Sequence, residues 1–464
     1  MTTRIPGKLP SQDKICYTVA TLQSARGISS NGKDQRTFMA TSSSNTNQPA
    51  DTPTILPRSA HSLSRNQIDE NTLKILYRLH RHGYLAYLVG GSVRDLLLGR
   101  TPKDFDVGTD ATPQQVRKLF RNCFLVGRRF RLAHIRFGRD QVIEVATFRR
   151  HPRPDEFPED PAEHSFFVQN QFGTPREDAF RRDFTINALF YNIADFSIVD
   201  HVGGLKDLEN RQLRVIGDPQ VRFAEDPVRM LRALEFSARL DFSLDEEILE
   251  GLTKQAPLLA GAAPARVREK LLQFFRLGVA AEVLQRAHSL GLLQPMMAGY
   301  QPGETTFKLL ELLNKHFKKT GAIDEGMILA ALFIDRFWHK CPVQASLPIG
   351  EVLQSAGHLL TPYCTYFRMA HGLRHQAREL LVSCYRFARG LGHRGQKRFL
   401  QNSATPRSLE MFRLWTKASG GDPALVDIWQ KALHADHEPS DKPARQPNHR
   451  THRRPRRRRR KKPV

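Results

Sequence analysis

The sequence predicts an α+β protein in which a small head with a mixed sheet precedes a helical neck and a helical body. Three observations favour this class. Apolar residues alternate along Leu132–Phe137 and along Val142–Phe148, as in paired strands. The glycine pair Gly90-Gly91 separates a strand-like apolar run from a short helix. From residue 226 to about residue 433 the alternation stops, and apolar residues recur every three or four positions, as in helices.

The other elements of the head are predicted from periodicity and from the residues that end them. Apolar residues at helical spacing from Ile68 to Leu79 predict a first helix, which Gly83 ends. Thr112-Pro113 predicts the start of a later helix, because proline is tolerated at the first helical position. The remaining predictions are strands at Tyr84–Val89 and Phe105–Val107 and helices at Val93–Leu98 and Glu177–Asn192.

The predicted domain boundaries follow changes in composition and periodicity. Ser, Thr and Asn dominate the start of the chain, so residues 1–62 are expected to be a disordered extension. The head is predicted at 63–205, the neck at 206–290 and the body at 291–435, followed by a disordered basic tail at 436–464.

The charge balance indicates a polyanionic partner. The 464-residue chain has a net charge of +24 and is long enough for several domains. Residues 442–464 contain 12 Lys and Arg and no acidic residue, which is half of the excess. Because the rest of the chain is basic as well, a nucleic acid is the first partner to consider.

The cysteines and the apolar runs indicate the compartment. Five cysteines are scattered without a Cys-x-x-Cys pair, which argues against a disulfide framework or a zinc site. The longest apolar run, Met327–Ile334, is far shorter than the roughly 20 residues that span a bilayer. We therefore expect a cytoplasmic monomer with no membrane span, while a transit peptide within the first 60 residues stays open.

Asp104-Phe105-Asp106 is the first candidate for metal chemistry. On a strand, the two carboxylates would share one face while Phe105 points into the core. Carboxylates so close repel each other unless a cation lies between them, and Mg²⁺ takes carboxylates together with phosphate oxygens. The pattern alone also occurs in glycosyltransferases and in solvated turns.

Glu144 is a third acidic candidate. Ile143 and Val145 are expected to face the core, which turns Glu144 to the opposite face. If this strand lies beside that of Asp104-Phe105-Asp106, three carboxylates converge. The alternative is an edge-strand glutamate that faces water.

Gly90-Gly91 is a candidate phosphate-binding turn. Without side chains, its backbone N–H groups can approach a phosphate, and the N-terminus of the following helix favours negative charge. The alternative is a tight turn without a ligand. Arg94, one turn into that helix, faces the phosphates or pairs with Asp95.

Several motifs together resemble a known family. Leu88–Asp95, Asp104–Asp106 and Arg181–Ala188 are similar to the motifs of the polymerase-beta-like nucleotidyltransferases. The class they resemble holds bacterial poly(A) polymerases and CCA-adding enzymes. The resemblance extends in order over about residues 66–290. It implies a nucleotidyltransferase head and transfer of a nucleotide from a nucleoside triphosphate to RNA.

The resemblance also implies roles for acidic residues. Asp104 and Asp106 would bind Mg²⁺, with two ions expected, and Glu144 would be the third acid. Asp183 is counted among the active-site acids of that family.

Nucleotide-binding roles are implied in the same way. Arg182 would contact the nucleotide near the metals, and Asn187 would touch the ribose. For Arg182 and Asp183 a surface ion pair on a helix is the plainer interpretation. Gly90-Gly91, Arg94 and Arg149 would hold the departing pyrophosphate.

Asp226 and Arg229 resemble the residues with which the family reads the base. They are spaced i and i+3, so they share a helical face and offer an acceptor beside a fork of donors. Spacing alone favours an acidic helix start with an intrahelical ion pair, and the resemblance to the family reverses that preference.

Two activities of the family compete. Leu125–His134 and the basic tail resemble the branch that adds adenylates from ATP to RNA 3′ ends. The chain lacks a His-Asp dipeptide of the kind some CCA-adding enzymes carry in a further site. We therefore expect a polynucleotide adenylyltransferase that promotes RNA turnover, with RNA-degradation machinery as a candidate partner. CCA addition to tRNA is the alternative. A non-catalytic RNA-binding protein would lack one of the three acids, and all three are present.

Deletion of residues 442–464 should weaken RNA binding and flatten its salt dependence. Each lost phosphate contact should reduce the slope of log K against log salt by about 0.7, because fewer counterions are released. The measurement is binding of a single-stranded RNA at several salt concentrations. Unchanged slopes would contradict a role for the tail, and extension of short primers serves as the control that should stay intact.

Overall fold

The head contains a large mixed sheet. The computed structural model describes residues 52–127, 132–156 and 171–437. Its strands are β1 (Thr54–Leu56), β2 (Ala86–Val89), β3 (Asp106–Thr109), β4 (Cys123–Val126), β5 (Leu132–Phe137), β6 (Gln141–Thr147), β7 (Leu189–Asn192), β8 (Ile198–Asp200), β9 (Gln212–Leu213) and β10 (Ser243–Leu244). Eight of them form one sheet in the order β1-β8-β7-β2-β3-β6-β5-β4, and β9 pairs with β10.

One strand pair makes the large sheet mixed, as predicted. β3 and β6 run parallel, whereas the other neighbouring pairs of this sheet are antiparallel. The predicted pairing of Leu132–Phe137 with the strand after it is confirmed. Alternate residues of β6, Ile143 and Val145, are buried in the core, which also confirms the predicted orientation of that strand.

Helices cover the sheet and build the rest of the chain. In the head and at its end they are α1 (Glu70–Arg81), α2 (Gly91–Leu97), α3 (Pro113–Leu119), α4 (Pro175–Arg181), α5 (Gly204–Glu209) and α6 (Pro219–Glu225). The following ones are α7 (Val228–Leu240), α8 (Glu246–Gln255), α9 (Pro264–Arg276), α10 (Ala280–Ser289), α11 (Leu293–Met296), α12 (Thr306–Thr320), α13 (Glu325–Lys340), α14 (Ile349–Tyr366), α15 (His371–Ala388), α16 (Gln396–Leu400), α17 (Thr405–Ser419) and α18 (Pro423–His437). None of the helices in the described ranges is long and apolar enough to cross a membrane.

The predicted helix at Glu177–Asn192 is wrong beyond its first turns. α4 ends at Arg181, Thr185–Asn187 is a short 3₁₀ turn, and β7 follows as a strand between β2 and β8. Leu189, Phe190 and Tyr191 are completely buried. A strand that is apolar on both faces has no alternation, so periodicity cannot distinguish it from a buried helix.

The predicted end of the disordered extension at residue 62 is also wrong. β1 pairs in antiparallel register with β8, Thr54 opposite Asp200 and Leu56 opposite Ile198. This edge strand is held by backbone pairing and has little apolar pattern of its own, since Thr54 and Ile55 are exposed. Residues 1–51, the segment 128–131 and the tail from 438 lie outside the described residues, and the boundaries at 205, 290 and 435 stay predictions.

A close helix contact supports the 3₁₀ turn at Thr185–Asn187. Gly204 opens α5 against this turn, and a Cβ built there would lie 2.2 Å from the carbonyl oxygen of Thr185. Glycine is therefore required by the approach of two backbones.

Gly204→Ala should destabilise the protein by about 1–3 kcal/mol, because the added methyl must push the backbone at Thr185 aside. Urea unfolding of the full chain measures this change. Gly350→Ala in α14, where a Cβ would meet nothing within 4 Å, is the matched control and should be neutral or slightly stabilising. Equal unfolding midpoints for the two variants would contradict the packing argument.

Candidate active site

A cleft of about 980 Å³ lies between the sheet of the head and the helices of the neck. Its head side is formed by the turn after β2, the ends of β3 and β6, and the segment after α4. Its neck side is formed by α7 and α9. The predicted site residues that line it are Gly90, Gly91, Arg94, Asp104, Asp106, Glu144, Arg149, Arg182, Asp183 and Asn187.

The parallel pairing of β3 and β6 brings two acids together. Val107 lies opposite Val145 in this register, so the preceding residues, Asp106 and Glu144, are neighbours on the same face. Both side chains project into the cleft, away from the buried face. Glu144 is also opposite His134 of β5, and His134 Nε2 lies 3.8 Å from Glu144 Oε2.

The prediction that Asp104 and Asp106 share one face of a strand is wrong. β3 begins at Asp106, where pairing with Val89 starts, and Asp104 lies in the preceding loop. Its side chain is 73% exposed, and Lys103 Nζ is 3.9 Å from one carboxylate oxygen. Asp104 nevertheless lines the cleft, so the three acids border one space although only two share a sheet face.

The protein environment disfavours the charged form of Asp106. Burial of part of the carboxyl, the nearby Glu144 and Asp104 raise the pKa of Asp106 to about 6, and Arg182 opposes this rise. The side chain is still open to the cleft on one side. A carboxylate crowded by other acids gains stability when a cation arrives.

The metal assignment stays a prediction. Within the described ranges, no three His, Cys, Asp or Glu side chains are arranged so that they could hold a metal ion. Because Asp104 is exposed, the three carboxylates do not surround a common point in this structure. The chemistry of the donors is that of a Mg²⁺ site, because hard carboxylate oxygens are the ligands this ion prefers.

The glycine turn fits closely against an arginine. Gly90 has a φ of 72°, a conformation that costs other residues energy. A Cβ at Gly90 would lie 3.0 Å from Arg182 Nη1. The turn therefore needs glycine for its conformation and for the approach of Arg182.

A buried network continues from α2 to the neck. Arg94 donates from Nε to Asp95 Oδ1 at 2.8 Å and from Nη1 to the side-chain oxygen of Asn187. Asn187 Nδ2 in turn donates to Asp183 Oδ1 at 3.1 Å. Arg232 of α7 donates from Nε to the other oxygen of Asp183 at 2.6 Å. The predicted pairing of Arg94 with Asp95 is thus present, and Arg94 lines the cleft as well.

Asp183 is kept ionised by these partners. Burial alone would raise the pKa of Asp183, but Arg232, Asn187 and the N–H of Phe184 outweigh it and lower the pKa. The ion pair between Asp183 and Arg232 therefore links the head to the neck at the cleft.

The alternative interpretation of Arg182 and Asp183 as a surface ion pair does not match their contacts, because Arg182 pairs with Asp178 and Asp183 pairs with Arg232. Arg182 donates instead to Asp178 Oδ2, at 2.9 Å from Nη2, and to the carbonyl oxygen of Asn187 at 3.1 Å. The same Asp178 accepts from the backbone N–H of Arg149 at 3.2 Å. Asp178 thereby connects two arginines that line the cleft.

The structure does not bring Asp226 and Arg229 to this cleft. Asp226 precedes α7, and its two carboxylate oxygens accept from Arg266 at 3.0 and 2.8 Å. Arg229 Nη1 donates to Glu225 Oε2 at 2.8 Å and to the carbonyl oxygen of Arg222 at 2.9 Å. Their base-reading role stays a prediction.

The neck wall of the cleft contains residues that the sequence did not reveal. Glu235 is buried and accepts from Lys270 Nζ at 2.9 Å and from Gln273 Nε2 at 3.2 Å. Together with Arg232 and Arg239, these residues line the cleft. Polar residues every three or four positions along the otherwise apolar α7 were the signal that could have identified this wall.

Two regions of the chain match models of known protein families. Residues 86–214 match the family described as "Poly A polymerase head domain", and residues 241–302 match the one described as "Probable RNA and SrmB- binding site of polymerase A". Over these two regions the chain is similar to the poly(A) polymerase family.

Curated relatives agree with this family. The chain is 52% identical over 247 residues to "Poly(A) polymerase I" of Salmonella typhi, which covers 52% of this chain and 53% of that protein. It is 46% identical over 299 residues to "Poly(A) polymerase I" of Escherichia coli O6:H1, covering 62% and 63%. A "CCA-adding enzyme" of Bacillus pumilus is 41% identical over 211 residues, covering 45% and 51%. The chain thus spans less than two thirds of the length of each of these relatives.

Two solved structures share the fold. The crystal structure of the Bacillus stearothermophilus CCA-adding enzyme in complex with CTP superimposes with a TM-score of 0.57 at 24% identity, over 80% of this chain and 82% of that one. A tRNA nucleotidyltransferase complexed with a primer tRNA and an incoming ATP analog gives a TM-score of 0.56 at 23% identity, over 78% and 98%.

Asp106→Asn should stabilise the protein at pH 7.5 in the absence of added metal. Because the pKa of Asp106 is raised above its ordinary value, ionisation of this carboxyl costs stability as the pH rises from about 4 through 6. The gain should be about 1 kcal/mol at pH 7.5, since solvent in the cleft screens the charge, and should vanish at pH 4.

Thermal unfolding with a chelator present, at both pH values, measures this difference. Asp140→Asn, in the exposed turn between β5 and β6, controls for simple loss of surface charge. An Asp106→Asn protein that is less stable than wild type at pH 7.5 would contradict the electrostatic account of the site.

Proposed function

We propose that this protein is a template-independent polynucleotide adenylyltransferase that transfers adenylate from ATP to RNA 3′ ends. One observation carries the proposal: Asp106 and Glu144 face a cleft from neighbouring strands, with a raised pKa at Asp106. Such a pair is suited to a divalent cation and a triphosphate, and the cleft is bordered by arginines that can neutralise phosphate oxygens.

We propose Mg²⁺ as the cofactor, because hard carboxylate oxygens are the ligands that this ion prefers. Asp104, Asp106 and Glu144 would hold it, and two ions are expected. Bound there, the metal would lower the pKa of the RNA 3′-hydroxyl and neutralise charge on the α-phosphate during in-line displacement. Without a bound cation, the mutual repulsion of these carboxylates destabilises their charged forms.

The basic residues would bind and orient the nucleotide. The Gly90-Gly91 turn offers backbone N–H groups to the triphosphate, and Arg94, Arg149 and Arg182 would hold its negative charge and then the departing pyrophosphate. Asn187 is fixed between Arg94 and Asp183 and would contact the ribose. Most of the rate enhancement would therefore come from positioning and electrostatics.

Adenylate addition is favoured over CCA addition by the relatives. Matches to proteins named Poly(A) polymerase I have higher identity over longer stretches than the match to a CCA-adding enzyme. We further propose that the protein acts in the cytoplasm as a monomer, that its tails promote RNA turnover, and that RNA-degradation machinery is its partner. Base selection by Asp226 and Arg229 belongs to this proposal.

Incubation with a generic RNA primer, Mg²⁺ and each nucleoside triphosphate singly should give a long ladder with ATP alone. Asp104→Ala should abolish the ladder while RNA binding persists, because the change removes a metal ligand and leaves the basic surfaces intact. Asp140→Ala is the matched control and should extend the primer normally. Addition of two C and one A only to trimmed tRNA would instead establish the CCA-adding activity, and extension by Asp104→Ala would overturn the metal assignment.

A further inference from the structure

The cleft-facing side of β4, β5 and β6 is a second surface beside the acids. We propose that this face is a stacking platform for the last nucleotides of the RNA substrate, with Phe124 as its aromatic centre. The inference rests on the proposed function, because it gives the RNA primer a place next to the residues that would act on its 3′ end.

Strand register aligns a row of side chains from the acids to the platform. Phe124 of β4 lies opposite His134 of β5, which lies opposite Glu144 of β6. Asp106 is the next neighbour in this row, on β3. Neighbouring strands lie about 4.8 Å apart, so Phe124 is about 10 Å from Glu144. The platform and the acids are therefore parts of one continuous sheet face.

The two faces of these strands differ in burial. Cys123, Ile135 and Ile143 face the core and are buried. On the cleft-facing side, Phe124 is 57% exposed and Val142 is 47% exposed.

Val126 of β4, on the same face as Phe124, is 46% exposed. Phe124 and Val126 are neighbours on β4 and form a small exposed apolar patch, whereas Val142 lies on the other side of β5, opposite Arg136.

The chemistry of the patch suits single-stranded RNA. Bases stack on aromatic rings without regard to sequence, and a nearby cation holds the backbone. Arg136 of β5 is exposed on this face and lies opposite Val142. Bases stack about 3.4 Å apart along a strand, so 10 Å corresponds to about three nucleotides from the reacting end.

Continuity with the cleft favours RNA over a protein partner. β4 is the edge strand of the sheet, and a second copy of the chain could pair with its backbone. The apolar side chains, however, project from the sheet face that leads to Glu144, where a primer must end for its 3′-hydroxyl to react. A non-specific RNA surface also agrees with transfer to RNA ends of any sequence.

Phe124→Ala should raise the KM for a short RNA primer by about 5- to 150-fold, the range expected for loss of one stacked base, and leave the KM for ATP unchanged. Phe124→Tyr should behave like wild type, because the ring is kept. Val221→Ala, 54% exposed on α6 and outside the cleft, is the control for loss of exposed apolar surface and should have no effect. An unchanged primer KM in Phe124→Ala would overturn the proposal.

A photocross-linking experiment tests the surface without relying on activity. RNAs that carry 4-thiouridine at one of the last three positions should cross-link to the peptide that contains Phe124, whereas a probe at the 5′ end of a long RNA should not. Cross-links that map only elsewhere would overturn the platform, even if the protein adds adenylate. Cross-links at Phe124 in a protein that adds no nucleotide would support the platform and reject the proposed activity.

Sedimentation of wild type and Phe124→Ala tests whether this face instead joins two copies of the chain. Equal masses are expected, since the platform binds RNA. A dimer that dissociates in the variant would show that this face joins two copies of the chain, and would overturn the proposal.

Discussion

The parallel pairing of β3 with β6 is the constraint on which the candidate site depends. It makes Asp106 and Glu144 neighbours on one sheet face, and the alternating pattern on either side buries Val107 and Val145 beneath them. Shifting either strand by one residue would turn the acid on that strand into the core. The buried valines therefore determine where the charges of the cleft lie.

Two further interactions complete the cleft by joining elements that are distant in the chain. Gly90 allows Arg182 to approach the turn after β2, and Asp183 binds Arg232 from the neck. The second contact buries an ionised carboxylate, which is tolerated only because a charged partner and two N–H donors surround it. The neck thus supplies a charge that the head requires as well as a wall of the cleft.

Patterns within single segments predict much of the head correctly. The errors arise where an element depends on pairing with a distant part of the chain. The alternation of Ile143 and Val145 was enough to orient Glu144, and the glycine pair was enough to place a turn between β2 and α2. Periodicity predicts a helix where β7 lies, because a strand buried on both faces has no alternation of apolar and polar residues. The sequence predicts Asp104 on the strand, whereas β3 begins only at Asp106, where pairing with Val89 starts. The residues around Asp104 do not show where this pairing with β2 begins.

The neck side of the cleft could not be predicted in the same way. Arg232 acts on a residue of the head, and spacing along α7 does not say which partner a side chain meets. Asp226 illustrates the same limit, since its carboxylate is paired with Arg266 from α9, a partner that spacing along the chain does not show.

The link between Asp183 and Arg232 has a consequence for how the protein is made. During synthesis the head emerges before α7, and until α7 arrives the carboxylate of Asp183 has no cationic partner from the neck. The head without α7 therefore contains a largely buried carboxylate that lacks its arginine partner from the neck. The carboxylate of Asp183 gains its arginine partner only after α7 has been synthesised.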